Sequence, residues 1–329
     1  MRAAVYRRFG PAVDTIEVVD WDLGPVGPDD VLVDVEAAPV HFGDLLYVEG
    51  KLANAPPPPA ICGMEGIGRI ARVGDRVRGL ETGQRVFLPR KYGNFAQQVL
   101  TQASRVTPAP EHGDPLQLAL VPVNVLTSYL LVTRVMTLEP GEWLVQNAAN
   151  SSCGRYVIGI ARQLGLRTVN VVRRPELVPE LLALGADAVV LDGDDLPARV
   201  AEATSGASIR FGIDSVAGDA TTRIASCLGL DATLAIFGLM SMQPCRVPAD
   251  LLFLNNLRLQ GYFMPHYERG IPRDEWLETM RKLGQWVADG VLRARIAATY
   301  RLDEIREAFR HELRTGADRD GKIILRPNG

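Results

Sequence analysis

Small and hydroxyl-bearing residues form a stretch that could bind phosphate. The stretch NAANSSCG, residues 147–154, lies between the apolar run GEWLVQ and the helix-like run IGIARQLG. A helix N-terminus carries unpaired amides and the positive end of the helix dipole, so it can hold a pyrophosphate where the side chains are small. Ser151 and Ser152 are small and can also donate hydrogen bonds. The stretch therefore predicts a phosphate-binding turn, although Gly154 is its one glycine and the usual GxGxxG signature is missing.

Two arginines follow the next apolar run, TVNVV. Arg173 lies nineteen residues beyond Gly154, where an NAD site usually carries Asp or Glu to accept from the ribose hydroxyl. An arginine at this place suits the additional phosphate of NADP, which it can bind through charge-assisted hydrogen bonds. Arg173 and Arg174 therefore predict NADPH as the cofactor. The alternative is a solvated basic turn without a ligand.

The hydrophobic patterns around these residues predict two kinds of domain. Short β-rich runs separated by Gly, Pro and Asp turns fill the chain up to residue 117, which is typical of a small antiparallel barrel. From residue 118, apolar strands alternate with helical patterns, which indicates a doubly wound parallel sheet. The closing segment returns to β texture, and its last strand is expected to rejoin the first domain. The predicted domains are 1–117, 118–292 and 293–329.

The composition excludes several classes of protein. With 329 residues, 47% of them hydrophobic and 23% charged, the chain can bury a large core. A net charge of -3 provides no basic field for nucleic acid or an anionic membrane. No signal-peptide pattern and no apolar run of about 20 residues is present, so we expect a cytoplasmic protein without a membrane segment. The cysteines stand apart in sequence, without the clustering of a structural zinc lobe: Cys62, Cys153, Cys227 and Cys245.

Taken together, these motifs resemble the medium-chain dehydrogenase/reductase superfamily. Within it they are similar to the zinc-independent branch of mitochondrial-type 2-enoyl thioester reductases and quinone oxidoreductases. The match covers nearly the whole chain and is most specific in the run EPGEWLVQNAANSSCGRYVIGIARQLGLRTVNVVRRP, with further matches in VNVLTSYLL, ALGADAVV, FGLMS, LRLQGYF and GKIIL. The resemblance implies an α/β fold, in which a Rossmann doubly wound parallel sheet is joined to a GroES-like β-barrel domain. It also implies a homodimer joined through the Rossmann sheets.

The resemblance further implies which residues contact NADPH and the substrate. The implied cofactor residues are Asn124, Asn150, Ser151, Ser152, Cys153, Arg173, Arg174, Phe237, Gly238, Leu239, Met240, Tyr262, Phe263, Met264 and Lys322. The expected substrate pocket is lined by Tyr92, Met264 and Tyr267. Of all these positions, only the turn and the arginine pair are also indicated by spacing alone.

Comparison with zinc-dependent relatives predicts that no metal is bound. Those relatives place a Cys ahead of an Asp in one segment and a His in a GHE triplet. Here His41 of HFGD occupies the first place, but Met64 of GMEG occupies the second. A thioether is a poor zinc ligand and cannot replace a neutral imidazole. We expect Glu65 of the same triplet to be structural and to accept hydrogen bonds from backbone amides.

Without a metal, such a site suits hydride transfer to the carbon β to a carbonyl, followed by protonation of the α carbon. Enoyl thioester reductases supply a tyrosine as the proposed acid, in a segment resembling DINxIxGxY. Here DLLYVEGKLAN places Leu52 at that position. Tyr47 and His41 are therefore the candidate catalytic residues. The alternatives are core packing for Tyr47 and a buried, fully hydrogen-bonded ring for His41.

Three functions remain open from the sequence. The first is an NADPH-dependent reductase of α,β-unsaturated carbonyl compounds, with enoyl thioesters as the first substrates to try. The second is an NADPH:quinone oxidoreductase. Reduction of a quinone gives a stable phenolate, so it depends much less on protein groups that stabilise charge or donate a proton. The third is an NADPH-binding protein that has lost catalysis, which the missing tyrosine suggests.

Overall fold

The computed structural model describes residues 1–52, 54–90, 93–135 and 137–329. By its contacts the chain divides into two compact units, Met1–Leu126 with Arg273–Gly329, and Thr127–Pro272. The segments 118–126 and 273–292 fall in the first unit by this division, whereas the sequence pattern assigns them to the second domain. The limits 1–117, 118–292 and 293–329 stay a prediction.

The strands of the described residues, in chain order, are β1 (Arg2–Tyr6), β2 (Ile16–Asp20), β3 (Asp30–Val40), β4 (Ala60–Ile61), β5 (Ile67–Val73), β6 (Arg85–Phe87), β7 (Gln98–Gln102), β8 (Thr107–Pro108), β9 (Trp143–Gln146), β10 (Arg167–Val172), β11 (Ala188–Leu191), β12 (Ile209–Asp214), β13 (Thr233–Ile236), β14 (Arg258–Gly261), β15 (Ile296–Arg301) and β16 (Lys322–Arg326).

The α-helices are α1 (Ala12–Thr15), α2 (Phe42–Val48), α3 (Pro115–Leu118), α4 (Leu126–Arg134), α5 (Ser152–Gln163), α6 (Val178–Ala183), α7 (Leu196–Ala203), α8 (Asp219–Ala225), α9 (Ala249–Leu254), α10 (Met264–Glu268), α11 (Arg273–Ala288) and α12 (Ile305–Glu312). Within the residues the structure covers, none of the helices has the length and apolar character needed to cross a membrane.

The first unit is organised around a mainly antiparallel sheet with the order β15-β16-β3-β5-β6-β8. Its longest strand, β3, buries alternate residues, Val31, Val33 and Val35, because successive side chains of a strand point to opposite faces. A smaller sheet has the order β2-β1-β4. The final strand β16 pairs antiparallel with β3, so the end of the chain joins the sheet of the N-terminal segment.

The second unit contains a six-stranded sheet with the order β11-β10-β9-β12-β13-β14, in which all neighbouring strands are parallel. From β9 the chain proceeds outward through β10 and β11, and it then returns to β12 on the other side of β9. The sheet therefore has a topological switch point between β9 and β12, and ligands bind at such a point beyond the carboxyl ends of the strands. The predicted α/β fold with a doubly wound parallel sheet is confirmed.

Candidate functional site

The turn after β9 forms the N-terminus of helix α5, as the sequence predicts. Ser151 is the N-cap, and its hydroxyl oxygen accepts a hydrogen bond from the Gly154 amide at 3.1 Å. Ser152 is the first helical residue. A Cβ atom on Gly154 would lie 2.5 Å from the carbonyl oxygen of Ala149. Gly154 is therefore required because the turn and the helix approach each other too closely for a side chain at this position.

A buried hydrogen-bond network links this turn to the loop after β12. The side-chain amide of Asn147 donates to Asp214 Oδ1 at 2.6 Å, and Asn147 Oδ1 accepts from the Ser215 amide at 2.9 Å. Asp214 is fully buried and also accepts from the Val216 amide at 2.8 Å and from Thr221 Oγ1 at 2.6 Å. The network fixes the two loops at the switch point. Our sequence interpretation missed it, although a polar Asp directly after the buried run RFGI was a signal.

The arginine pair lies beyond the carboxyl end of β10. Arg173 is exposed, and Arg174 is half-buried with a guanidinium nitrogen 3.6 Å from the carboxylate of Glu176. Strand β10 pairs with β9 in a register that places Asn170 opposite Gln146. The arginines and the turn after β9 therefore lie at the same edge of the sheet.

The residues after β13 continue along this edge. A Cβ atom on Gly238 would lie 2.4 Å from the carbonyl oxygen of Ser215, so the segment passes close to the switch-point loop. The amide of Met240 donates to that same carbonyl at 3.2 Å. Phe237 is half-buried, whereas the side chains of Leu239 and Met240 are exposed.

The residues after β14 differ in their exposure to solvent. The Tyr262 hydroxyl donates to the Thr127 carbonyl at 3.0 Å, and its ring lies 4.7 Å from the ring of Tyr267. The hydroxyl oxygen of Tyr267 accepts from Gln260. Met264 is buried as well, whereas Phe263 is 54% exposed. Of the aromatic residues predicted here, Phe263 is the one with most of its surface open to solvent.

A second cluster of predicted residues lies in the first unit, around His41 at the N-cap of α2. His41 Nε2 is 2.6 Å from Glu65 Oε1, and His41 Nδ1 is 3.2 Å from Lys322 Nζ. Because a lysine ammonium can only donate, Nδ1 accepts, and Nε2 carries the ring hydrogen and donates it to Glu65. Burial, and then the positive charges of Lys322 and Arg319, hold the pKa of His41 well below its usual value. His41 is neutral, and both of its ring nitrogens are occupied.

The buried titratable groups around His41 have defined partners. Glu65 Oε2 accepts from the Val123 amide at 2.7 Å, which is the expected structural contact with the backbone. Burial raises the pKa of Glu65, and the Lys322 ammonium opposes that rise. Lys322 also donates to the Val40 carbonyl at 2.8 Å, and burial lowers its pKa. Asp44 accepts from the His41 amide at 2.8 Å, and burial raises the pKa of Asp44 to about 7.

The remaining candidates have distinct surroundings. Tyr47 is buried on α2, its hydroxyl donates to Asn54 Oδ1 at 2.8 Å, and burial raises its pKa. Leu52, at the position of the family tyrosine, is half-buried. Asn124 lies in a π-helical turn, a feature often found at functional sites. Tyr92 lies outside the described residues.

Comparison with known proteins decides the family. Residues 27–111 match the family model described as alcohol dehydrogenase GroES-like domain, and residues 153–285 match the one described as zinc-binding dehydrogenase. The mitochondrial enoyl-[acyl-carrier-protein] reductase of Caenorhabditis elegans is 30% identical over 287 residues, which cover 85% of this chain and 82% of the relative. The chain belongs to the medium-chain dehydrogenase/reductase superfamily. The family predicted from the motifs is confirmed.

A further relative and two solved structures are similar to the chain over most of its length. The human mitochondrial enoyl-[acyl-carrier-protein] reductase is 28% identical over 325 residues, covering 94% of this chain and 84% of that protein. A Bacillus thuringiensis structure described as "putative NADPH:quinone reductase" has a TM-score of 0.89 at 27% identity, covering 99% of this chain and 98% of its own. A mutant enoyl thioester reductase from Candida tropicalis shares the fold, with a TM-score of 0.87 at 24% identity and 99% coverage of both chains.

The zinc named in one family description does not fit the residues of this superfamily member. Both nitrogens of His41 are held by Glu65 and Lys322, and Met64 stands where zinc-dependent relatives have a histidine. Among the residues with described positions, no group of three or more His, Cys, Asp or Glu side chains could hold a metal ion. A tetrahedral zinc site needs three protein ligands even when its fourth position is open.

Proposed function

We propose that this protein is an NADPH-dependent reductase of an activated C=C bond in α,β-unsaturated carbonyl compounds, with 2-enoyl thioesters as the substrate class. The observation that carries the proposal is the edge of the parallel sheet, where the capped turn after β9 and Arg173 with Arg174 after β10 lie together. Relatives at 28% to 30% identity over most of the chain are named mitochondrial enoyl-[acyl-carrier-protein] reductases.

Two groups of residues in this chain would bind different phosphate groups of the cofactor. The amides at the start of α5, with Ser151 and Ser152, would hold the pyrophosphate, because a helix N-terminus favours an anion. Arg173 and Arg174 would bind the 2′-phosphate, since guanidinium groups pair with phosphate in charge-assisted hydrogen bonds. When bound, NADPH supplies a hydride. The other cofactor positions, including Asn124, Cys153 and Lys322, stay predictions carried by the family resemblance.

Two side chains are proposed to supply the proton that completes the reduction. His41 and Tyr47 both have pKa values shifted by burial, and both have a partner in the structure, Glu65 and Asn54 respectively. Either would have to exchange that partner for the substrate in order to act as the acid. Unchanged turnover after replacement of both would leave water as the donor.

The substrate class is tested with purified protein, NADPH and a panel of acceptors. We expect NADPH to be oxidised in the presence of crotonyl thioesters and longer 2-enoyl thioesters, with a kcat of about 1–10³ s⁻¹, the usual range for enzymes. The reaction is followed by the loss of NADPH absorbance. Turnover with benzoquinones and none with any enoyl thioester would overturn the proposal in favour of a quinone oxidoreductase. That second function is favoured by Leu52 at the tyrosine position and by the name of the Bacillus thuringiensis neighbour. Tight NADPH binding without turnover on either class would favour a non-catalytic binding protein.

The edge strand β14 supports a homodimer joined through the Rossmann sheets. A cytoplasmic location stays a prediction from the sequence, and the relatives named above are mitochondrial. Strand β14 forms one edge of this sheet, and an unpaired strand edge offers free backbone donors and acceptors to a second copy. Large apolar side chains around this edge are exposed, namely Leu252, Phe253, Leu254 and Leu259. We expect Phe253→Asp to convert a dimer to a monomer in light scattering after gel filtration. A wild-type monomer at micromolar concentration would contradict the dimer.

A further inference from the structure

An arginine on the first turn of α5 is buried beside the phosphate turn. Arg155 is 5% exposed; its Nε donates to the Asn150 carbonyl at 3.0 Å, and its Nη1 donates to Glu180 Oε1 at 2.8 Å. Asn150 belongs to the turn after β9, and Glu180 belongs to α6, the helix that follows the arginine pair. One side chain thus joins the phosphate turn to the helix that follows the arginine pair.

Simple packing does not account for an arginine at this position. A buried guanidinium loses its hydration, and an apolar side chain of similar volume would fill the same space without that loss. What an apolar residue cannot provide is the planar fork of donors, which holds two acceptors at once in fixed directions. Within the described residues, Arg155 Nη2 is buried and has no hydrogen-bond partner. The side chain therefore bonds two acceptors through Nε and Nη1, while Nη2 stays without one.

The positive charge of Arg155 also lies near the N-terminus of α5, where a cation destabilises the helix. Cations are unfavourable near a helix N-terminus, where the dipole is positive, and the first turn of α5 contains no acidic residue. Glu180 offsets part of this charge from α6. A pyrophosphate at the same helix end would be attracted by both the dipole and the guanidinium, so this pattern favours an anionic ligand over an empty turn.

We propose that Arg155 is a positioning residue for the cofactor, because it holds the phosphate turn and α6 at a fixed separation through Asn150 and Glu180. The inference rests on the proposed function, since it supposes that the turn and the arginine pair bind one NADPH molecule. Arg155 itself is not placed in contact with NADPH. Its loss should leave both halves of the site present but free to move apart, so that binding suffers while the chemical step does not.

The test compares Arg155→Met with the wild-type enzyme. We expect the KM for NADPH to rise about tenfold, the size expected when a charge-assisted hydrogen bond is lost, while kcat at saturating NADPH changes by less than about twofold. Arg155→Lys keeps the charge but not the fork, so we expect a rise of about threefold or more. Glu180→Gln keeps an acceptor oxygen for Nη1 and should change the KM least.

A matched control separates positioning from ordinary stability. Arg210 is also a paired arginine of the second unit, bonded to Glu142 at 2.6 Å, but it lies at the start of β12, at the opposite end of the sheet. Arg210→Met should lower the unfolding temperature without changing the KM for NADPH. An unchanged KM in both Arg155 variants, or an equal rise in Arg210→Met, would overturn the inference. If Arg155→Met does not fold, Arg155→Lys alone decides between these outcomes.

Failure of the inference is distinguishable from failure of the proposed function. Binding of NADP+ and NAD+ to the purified wild-type protein is measured first by calorimetry. Absence of NADP+ binding to the wild type would defeat the proposed cofactor itself. Normal NADP+ binding by both the wild type and the Arg155 variants would defeat only the role given to Arg155.

Discussion

Asp214 offers the sharpest test of how the switch-point loops are held. Its carboxylate is fully buried, and Oδ1 accepts from the Asn147 side-chain amide, the Val216 amide and the Ala217 amide. Oδ2 accepts from the Thr221 hydroxyl at 2.6 Å. Replacement by leucine, which has nearly the same shape, removes all four acceptor contacts. Replacement by asparagine keeps the oxygen that serves the three N–H donors.

The two substitutions should therefore differ widely in their effect on the free energy of unfolding. In Asp214→Leu three N–H donors lose their acceptor, and each buried unsatisfied donor costs about 1–3 kcal/mol, or about 3–9 kcal/mol together. A loss of this size approaches the whole stability of a typical domain, about 5–15 kcal/mol. In Asp214→Asn the new amide group faces Thr221, whose hydroxyl can rotate and accept instead of donating. We expect a loss of only about 1 kcal/mol, from the weaker neutral hydrogen bonds.

The assay is urea unfolding followed by circular dichroism, with the NADPH KM measured for each folded variant. Asp219→Asn is the control, because Asp219 lies in the same unit but its ion pair with Arg246 is about 70% exposed on both sides. Exposed pairs of this kind contribute little, so the control should unfold like the wild type. Equal destabilisation by Asp214→Asn and Asp214→Leu would refute the donor count. A stable Asp214→Leu variant would refute it altogether.

Three further predictions concern the cofactor, the proton donor and pH. Replacing Arg173 and Arg174 by Ala should raise the KM for NADPH far more than that for NADH, and equal losses would show that the pair does not bind the 2′-phosphate. Tyr47→Phe should lower turnover on enoyl thioesters about a hundredfold if Tyr47 is the acid, with the KM for NADPH as the internal control. Burial raises the pKa of Asp44 from 3.8 to about 7, so the native state holds an extra proton between those values and stability falls as the pH rises through them. Asp44→Asn should therefore gain stability relative to the wild type from about pH 4 to about pH 7, and a constant difference in unfolding midpoint would contradict this.

The parallel sheet and its phosphate turn could be predicted because their signals are local. The apolar run before NAANSSCG, the small residues that follow and the helical pattern after them lie within about twenty residues of one another. The arginine pair follows the next strand, and parallel strands end at one edge of the sheet. The sequence pattern did not explain why Gly154 is a glycine, because the reason is the close approach of its Cα to the Ala149 carbonyl.

The long-range contacts could not be predicted, because they depend on which strands become neighbours. Asn147 and Asp214 are 67 residues apart in sequence, and His41 and Lys322 are 281 apart. The family resemblance gives His41 as a candidate acid, with a buried, satisfied histidine as the alternative, and in the structure its ring lies between Glu65 and Lys322. Nothing in the segment HFGD distinguishes these two environments.

The residues at the positions of the zinc ligands in zinc-dependent relatives bear directly on which substrates can be reduced. His41 stands at the first ligand position of the zinc-dependent relatives, and its two nitrogens are already committed to Glu65 and Lys322. These residues therefore offer no metal centre to polarise an isolated carbonyl, which favours an acceptor carbon that is already activated by conjugation. Both remaining substrate classes meet this condition, but they differ in their need for a proton. An enolate needs a proton at the α carbon, whereas the phenolate formed from a quinone is stable, so the choice between them depends on whether Tyr47 or His41 replaces the acid lost at Leu52.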